Sequence, residues 1–151
     1  MIGLFLRSLG AIVAGLAVAM LFAIGVEGVS AVLHPFPPGV DTSDLEVCKA
    51  HVARCPAAVL LLAVVGWALG AFASAWTATR LGSGRRAVHG FVVGAVVLAS
   101  AVTNLLMLPY QAWFRVANLV LIPAAVLWAV RLGRGRRALR RSGGVDAPGA
   151  R

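Results

Sequence analysis

From Ser8 to Val26 the chain runs nineteen residues without a charged side chain, and three further uncharged runs follow, Pro56 to Thr79, Ala87 to Phe114 and Val116 to Val130. A helix rises 1.5 Å per residue, so about 20 apolar residues cross a hydrocarbon core about 30 Å thick. Four such runs in 151 residues leave no room for a separate soluble core. Hydrophobic residues make up 60% of the chain and the mean hydropathy is +0.91, against about 45–50% apolar content in soluble domains. The surplus must face lipid. The expected fold is all-α: a four-transmembrane-helix bundle with helices over 4–29, 56–79, 87–107 and 113–131, forming a single membrane domain over 1–141. The fourth run is short, about 22 Å as helix. Arg115 and Arg131 at its ends are therefore expected to snorkel to the two interfaces, with Trp113 and Trp128 setting its depth.

The formal net charge of +9 would suggest nucleic-acid binding in a soluble protein. Its distribution argues for membrane topology instead, with no nucleic acid as partner. The N-terminus, the connection from Arg80 to Arg86 and the stretch after Val130 hold eleven Arg and one Asp, whereas the loop from Glu27 to Arg54 and the turn from Met107 to Arg115 hold three basic and four acidic residues. Lys and Arg concentrate on the cytoplasmic side of membrane proteins, so both termini are expected in the cytoplasm and the 30–55 loop outside it. Arg131, Arg134, Arg136, Arg137, Arg140 and Arg141 form a polybasic stretch suited to anionic lipid headgroups. Residues 142–151, rich in Gly, Pro and Ala, read as a disordered cytoplasmic tail. The Arg-, Ala-, Gly- and Val-rich composition hints at a GC-rich bacterial genome, and with the four spans the expected location is the bacterial cytoplasmic (inner) membrane. Arg7, the first apolar run and Val29, Ser30 and Ala31 could also be read as a signal peptide with a cleavage site. That run exceeds the usual 7–15 residue apolar region, so an uncleaved span is expected.

The loop opens with His34, Pro35, Phe36, Pro37, Pro38 and Gly39. Three prolines fix φ and remove backbone donors, so the first helix cannot pass this point and the chain runs extended to a turn. Ser43 and Glu46 then have capping-box spacing, and Leu45, Cys48, Val52 and Cys55 recur on one helical face. A short extracytoplasmic amphipathic helix ending at Pro56 is expected.

Chemistry-bearing residues are few. Cys48 and Cys55 would lie about 10.5 Å apart along one helix, beyond the ~7 Å Cα limit for a disulfide, so the sequence leaves their pairing open. Cys48, His51 and Cys55 share a face and are candidate metal ligands, without a strong zinc spacing. Glu27, near the outer end of the first span, needs a partner or water to offset desolvation. Asn104, Arg115 and Asn118 lie at similar depth, which predicts a Glu27–Arg115 ion pair buttressed by two amides, serving as a structural clasp or a ligand site. His34 and Tyr110 are candidate residues closing over it. Gly66 and Gly70, and Gly90 and Gly94, form GxxxG pairs that let helices cross closely, within one chain or in a homo-oligomer. Pro123 is expected to kink the fourth span.

The pair Val26 and Glu27, the turn from His34 to Gly39, Asn104, and the stretch from Met107 to Phe114 together resemble a family of uncharacterised small four-span bacterial membrane proteins. The resemblance places both motifs on one outer surface and implies no activity or cofactor. No Ser/His/Asp arrangement, phosphate loop or dinucleotide fingerprint is present in reaction-fixing spacing. The expected function is that of a non-enzymatic accessory or structural membrane component. The alternatives are a small oligomeric transporter using Glu27, similar in outline to small multidrug resistance proteins, and an intramembrane lipid- or quinone-handling enzyme. Against the first, Glu27 lies near the end of its span, away from the midplane that alternating access uses.

Overall fold

The structure, a computed structural model, describes residues 2–135. Those residues form α1 (Ile2–Leu33), α2 (Leu45–Ala53), α3 (Ala57–Leu81), α4 (Arg86–Met107) and α5 (Ala112–Gly135), with no strand among them. The helices α1, α3, α4 and α5 are long and apolar enough to cross a membrane, as in a multi-pass membrane protein, and α2 is the expected short helix between the first two. The 142–151 tail and Arg136, Arg137, Arg140 and Arg141 lie outside the described residues.

Three boundaries differ from expectation. Helix α1 continues through Glu27 to Leu33, because backbone hydrogen bonding is indifferent to a charge at the bilayer edge. It stops only where Pro35 constrains His34 away from helical geometry. At 32 residues it is about 48 Å long, so its last turns project beyond the hydrocarbon. Helix α2 is capped by Asp44, not Ser43. The Asp44 carboxylate accepts from the Glu46 amide at 2.8 Å, while the Ser43 amide and hydroxyl both donate to Asp41. Helix α5 runs past the expected end at Arg131 to Gly135, so its 24 residues reach about 36 Å and the short uncharged run is not the whole span.

The four long helices pack as a diamond whose short diagonal is α3 and α4. Helices α1 and α5 occupy opposite corners, each touching both diagonal helices and most heavily α3. Small residues permit this. The Gly66–Gly70 face of α3 receives α1, since a Cβ at Gly66 would strike Val26 and one at Gly70 would strike Phe22. Further along, Gly15 of α1 lies against Ser74 and Ala78. Gly90 of α4 lies under the Ala75 carbonyl and beside Val130, and Gly94 lies against Val126. The expected close crossing of the second and third spans is therefore present at Gly90, whereas the other three glycines of the two pairs serve α1 and α5.

Two core clusters result. One, around Ala71, Ala75, Ile122, Val126 and Val130, fills the middle of the bundle. The other, around Leu60, Val64, Leu105 and Phe114, sits beneath α2. At the opposite end, Arg7 donates to the Leu81 carbonyl at 3.3 Å and Ser83 donates to the Leu4 carbonyl at 3.1 Å, tying α1 to the α3–α4 turn. His89, at that same end, is buried against Gly82, with its Nδ1 unpartnered. The large apolar side chains left outward on all four long helices form the lipid-facing surface.

Candidate functional site

Two chambers share a waist of three wall residues, Glu27, Trp67 and Asn104. The inner chamber, about 400 Å³, lies between α1, α3 and α4 and reaches Ile122 of α5. Its wall is almost entirely apolar, with Leu16, Phe22, Trp67 and Val97 among its residues. It lies beside the sparse α1–α4 contact, where Met20, Val96 and Ser100 are exposed. The outer chamber, about 380 Å³, lies beneath the strap 34–44 and α2, walled by His34, Phe36, Cys48, His51, Cys55 and Tyr110. Glu27, Trp67 and Asn104 line both. These volumes fall within the about 300–1,000 Å³ typical of small-ligand sites.

Each waist residue is placed by its helix. Glu27 stands six residues before the end of α1, about 9 Å below it. Asn104 is near the end of α4. Trp67 stands ten residues into α3, about 15 Å along the span. The Trp67 indole packs edge-on against Phe114, ring centroids 5.7 Å apart, and Tyr110 stacks on Phe114 at 4.6 Å. The Asn104 Oδ1 and the His34 Nε2 are buried without a hydrogen-bond partner. Such orphans are uncommon in folded proteins and call for a physical account.

The expected Glu27–Arg115 clasp is not formed. Among the described residues the one ion pair is Lys49–Glu46. Arg115 is exposed and donates to the Leu108 carbonyl at 3.4 Å, and neither it nor Asn118 lines either chamber. The reason is topological, since α1 and α5 sit at opposite corners of the diamond. Asn118 is 1% exposed and donates to the Phe114 carbonyl at 2.9 Å. Glu27, Asn104, His34 and Tyr110 are brought together; Arg115 and Asn118 are not.

The cysteines and His51 join the outer chamber without forming a metal centre. No three His, Cys, Asp or Glu side chains among the described residues are grouped to hold an ion. Cys48 donates its thiol to the Thr42 carbonyl at 3.3 Å, and Cys55 falls beyond the end of α2, off the helical face the spacing suggested. Both thiols are free. His51 stacks on His34 at 4.2 Å and on Phe36 at 3.8 Å. Sequence reasoning missed Trp67 and Phe36. Trp67 carried a usable signal, because it lies mid-span instead of at the interface where aromatic belts form.

Three groups of the outer chamber, Tyr110, Cys55 and His51, are each shifted toward the neutral form. Burial pushes the Tyr110 hydroxyl far above its ordinary range, with Glu27 and Cys55 acting in the same direction. Burial also raises the Cys55 thiol. His51 is lowered, by burial first and then by His34. That sign has a consequence for α2, which touches the long helices only sparsely and is held largely through the stacked rings. A histidine whose folded pKa is depressed binds its proton more readily in the open form, so closure is complete above the ordinary value of about 6.5 and weakens as pH falls below it. The groups around His51 are His34 and Phe36 of the strap, Cys48 of α2, Cys55, Tyr110 and Glu27. Hydrogen exchange in segment 34–55, corrected for intrinsic rates, should therefore be faster at about pH 5.5 than at about pH 7.5. His51→Phe should flatten that difference, and equal wild-type protection at both pH values would contradict the account.

Comparison with protein-family models, with curated proteins and with solved structures finds no match.

Proposed function

We propose that this membrane protein seats a single-chain amphiphile, its polar head in the outer chamber and its hydrocarbon tail in the inner one, as a non-enzymatic accessory component of the membrane. The shared waist carries this reading. An outer chamber that gathers His34, His51, Tyr110 and both cysteines, and shares Glu27, Trp67 and Asn104 with a more apolar chamber beside the lipid surface, offers the two solvent characters of an amphiphile in the same order. A soluble metabolite would leave the inner chamber unmatched, and a plain hydrocarbon would leave buried polar atoms unpaired.

Orientation follows the positive-inside rule. Arg7, Arg80, Arg85, Arg86, Arg131 and Arg134 all lie at the end away from α2, which supports a cytoplasmic position for that end and an extracytoplasmic one for the cap. The exposed Arg131 and Arg134 suit anionic headgroups at about 1 kcal/mol per charge. The bacterial inner membrane and the resemblance to small four-span bacterial proteins belong to the same reading. Export driven through Glu27 is the second reading, favoured by the position of that carboxylate between the two chambers.

Native mass spectrometry of protein isolated in mild detergent tests the proposal. The wild type should carry about one amphiphile per chain, as one continuous site requires. Ser100→Phe and Ala23→Phe place a ring on exposed positions of the inner wall, so both should fold and lose that ligand. Equal ligand content in wild type and both variants would refute the amphiphile reading. Flux in proteoliposomes that disappears in Glu27→Gln would move the assignment to transport.

A further inference from the structure

Resting on that reading, we infer that the head group of the amphiphile is an ammonium. Glu27 is the only formally charged side chain lining either chamber among the described residues, and no Lys or Arg reaches them. A phosphate or carboxylate head would thus meet one negative charge and no compensating positive one. An ammonium meets the opposite field.

The neutral groups point the same way. Asn104 Oδ1 is a buried acceptor without a donor, and it lines the waist with Glu27. The His34 Nε2 is also buried and unpartnered on the outer wall. The Glu27 carboxylate and the Asn104 amide oxygen thus offer acceptors at the waist to a head that carries only donors. Around them stand Trp67 and Tyr110, both packed on the buried Phe114 ring. Aromatic faces beside a carboxylate are the arrangement that attracts organic cations, most strongly when water is excluded. A hydroxyl head would use the acceptors but draw nothing from the charge or the rings.

Three probes of equal chain length separate these possibilities: dodecylamine, laurate and dodecanol, each titrated below its micellar range into the purified full-length protein. Native mass spectrometry and displacement read the affinity. Dodecylamine should bind more tightly than either of the others by roughly ten-fold or more. Glu27→Gln should remove that preference while leaving dodecanol binding in place. Laurate or dodecanol binding as tightly as dodecylamine to the wild type overturns the head-group inference, whether or not any variant folds. Binding of all three that is unaffected by Ser100→Phe instead overturns the two-chamber reading on which it rests.

Discussion

Phe114→Ala should lower the stability of the bundle by about 3–5 kcal/mol, the range for removing a large buried aromatic. Phe114 is 0% exposed and is the largest fully buried side chain in the described residues. It touches Trp67, Tyr110 and Trp113 through its ring and packs in the cluster of Leu60, Val64 and Leu105. Truncation removes the ring's dispersion contacts with these neighbours, a loss that remains even though the hydrophobic driving force between helices is weak in a bilayer. The backbone carbonyl that accepts from Asn118 is retained, so the effect reports the ring alone. Thermal unfolding in mild detergent, followed by circular dichroism, measures it. Phe114→Leu should cost much less, and a Phe114→Ala protein that melts like the wild type would show that this cluster does not hold the cap end together.

The spans were legible because length and charge-free hydropathy are local properties of the chain. Depth was legible for the same reason: rise per residue placed Glu27 and Asn104 at one level, and both line the outer chamber together with the two candidate cap residues, His34 and Tyr110. Direction around a helix was not. Phe114, Asn118, Ile122, Val126 and Val130 recur every four residues and are all buried, a stripe that identifies the inner face of α5. Arg115 is one residue and about 100° off that stripe, which explains its exposure. Reading the stripe would have removed Arg115 from the cluster, but only the packing order could remove Asn118, because nothing local says that α1 and α5 lie at opposite corners. The α2 cap failed for a similar reason. Ser43 and Asp44 are both good N-caps, and the choice depends on Asp41 engaging Ser43 across the loop.

Gly90→Leu should abolish the folded bundle altogether, the second large effect. Helix α4 approaches α3 at this residue so closely that a Cβ would sit 2.9 Å from the Ala75 carbonyl and 2.8 Å from a Val130 methyl, and closer still to the Thr79 hydroxyl. A methyl terminus could rotate away, but a backbone carbonyl inside a helix cannot move without separating the helices. Thr79 has no freedom either, being buried and donating to that same Ala75 carbonyl at 2.7 Å. Overpacking a tight core costs about 1–3 kcal/mol where neighbours can adjust. Here three neighbours on two helices must adjust at once, and the displacement propagates along the diagonal that every other long helix packs against. The expected result is loss of monodisperse protein in detergent gel filtration. Gly28→Leu is the control, since a Cβ there meets nothing within 4 Å and the same propensity change should leave folding intact. Gly90→Ala separates steric from conformational effects. Gly to Ala alone favours a helix by about 1 kcal/mol, so destabilisation by this single methyl would have to come from the crossing itself. Wild-type melting in Gly90→Leu would mean that α3 and α4 do not meet there in the membrane, and the diamond arrangement, with the waist that depends on it, would fall together.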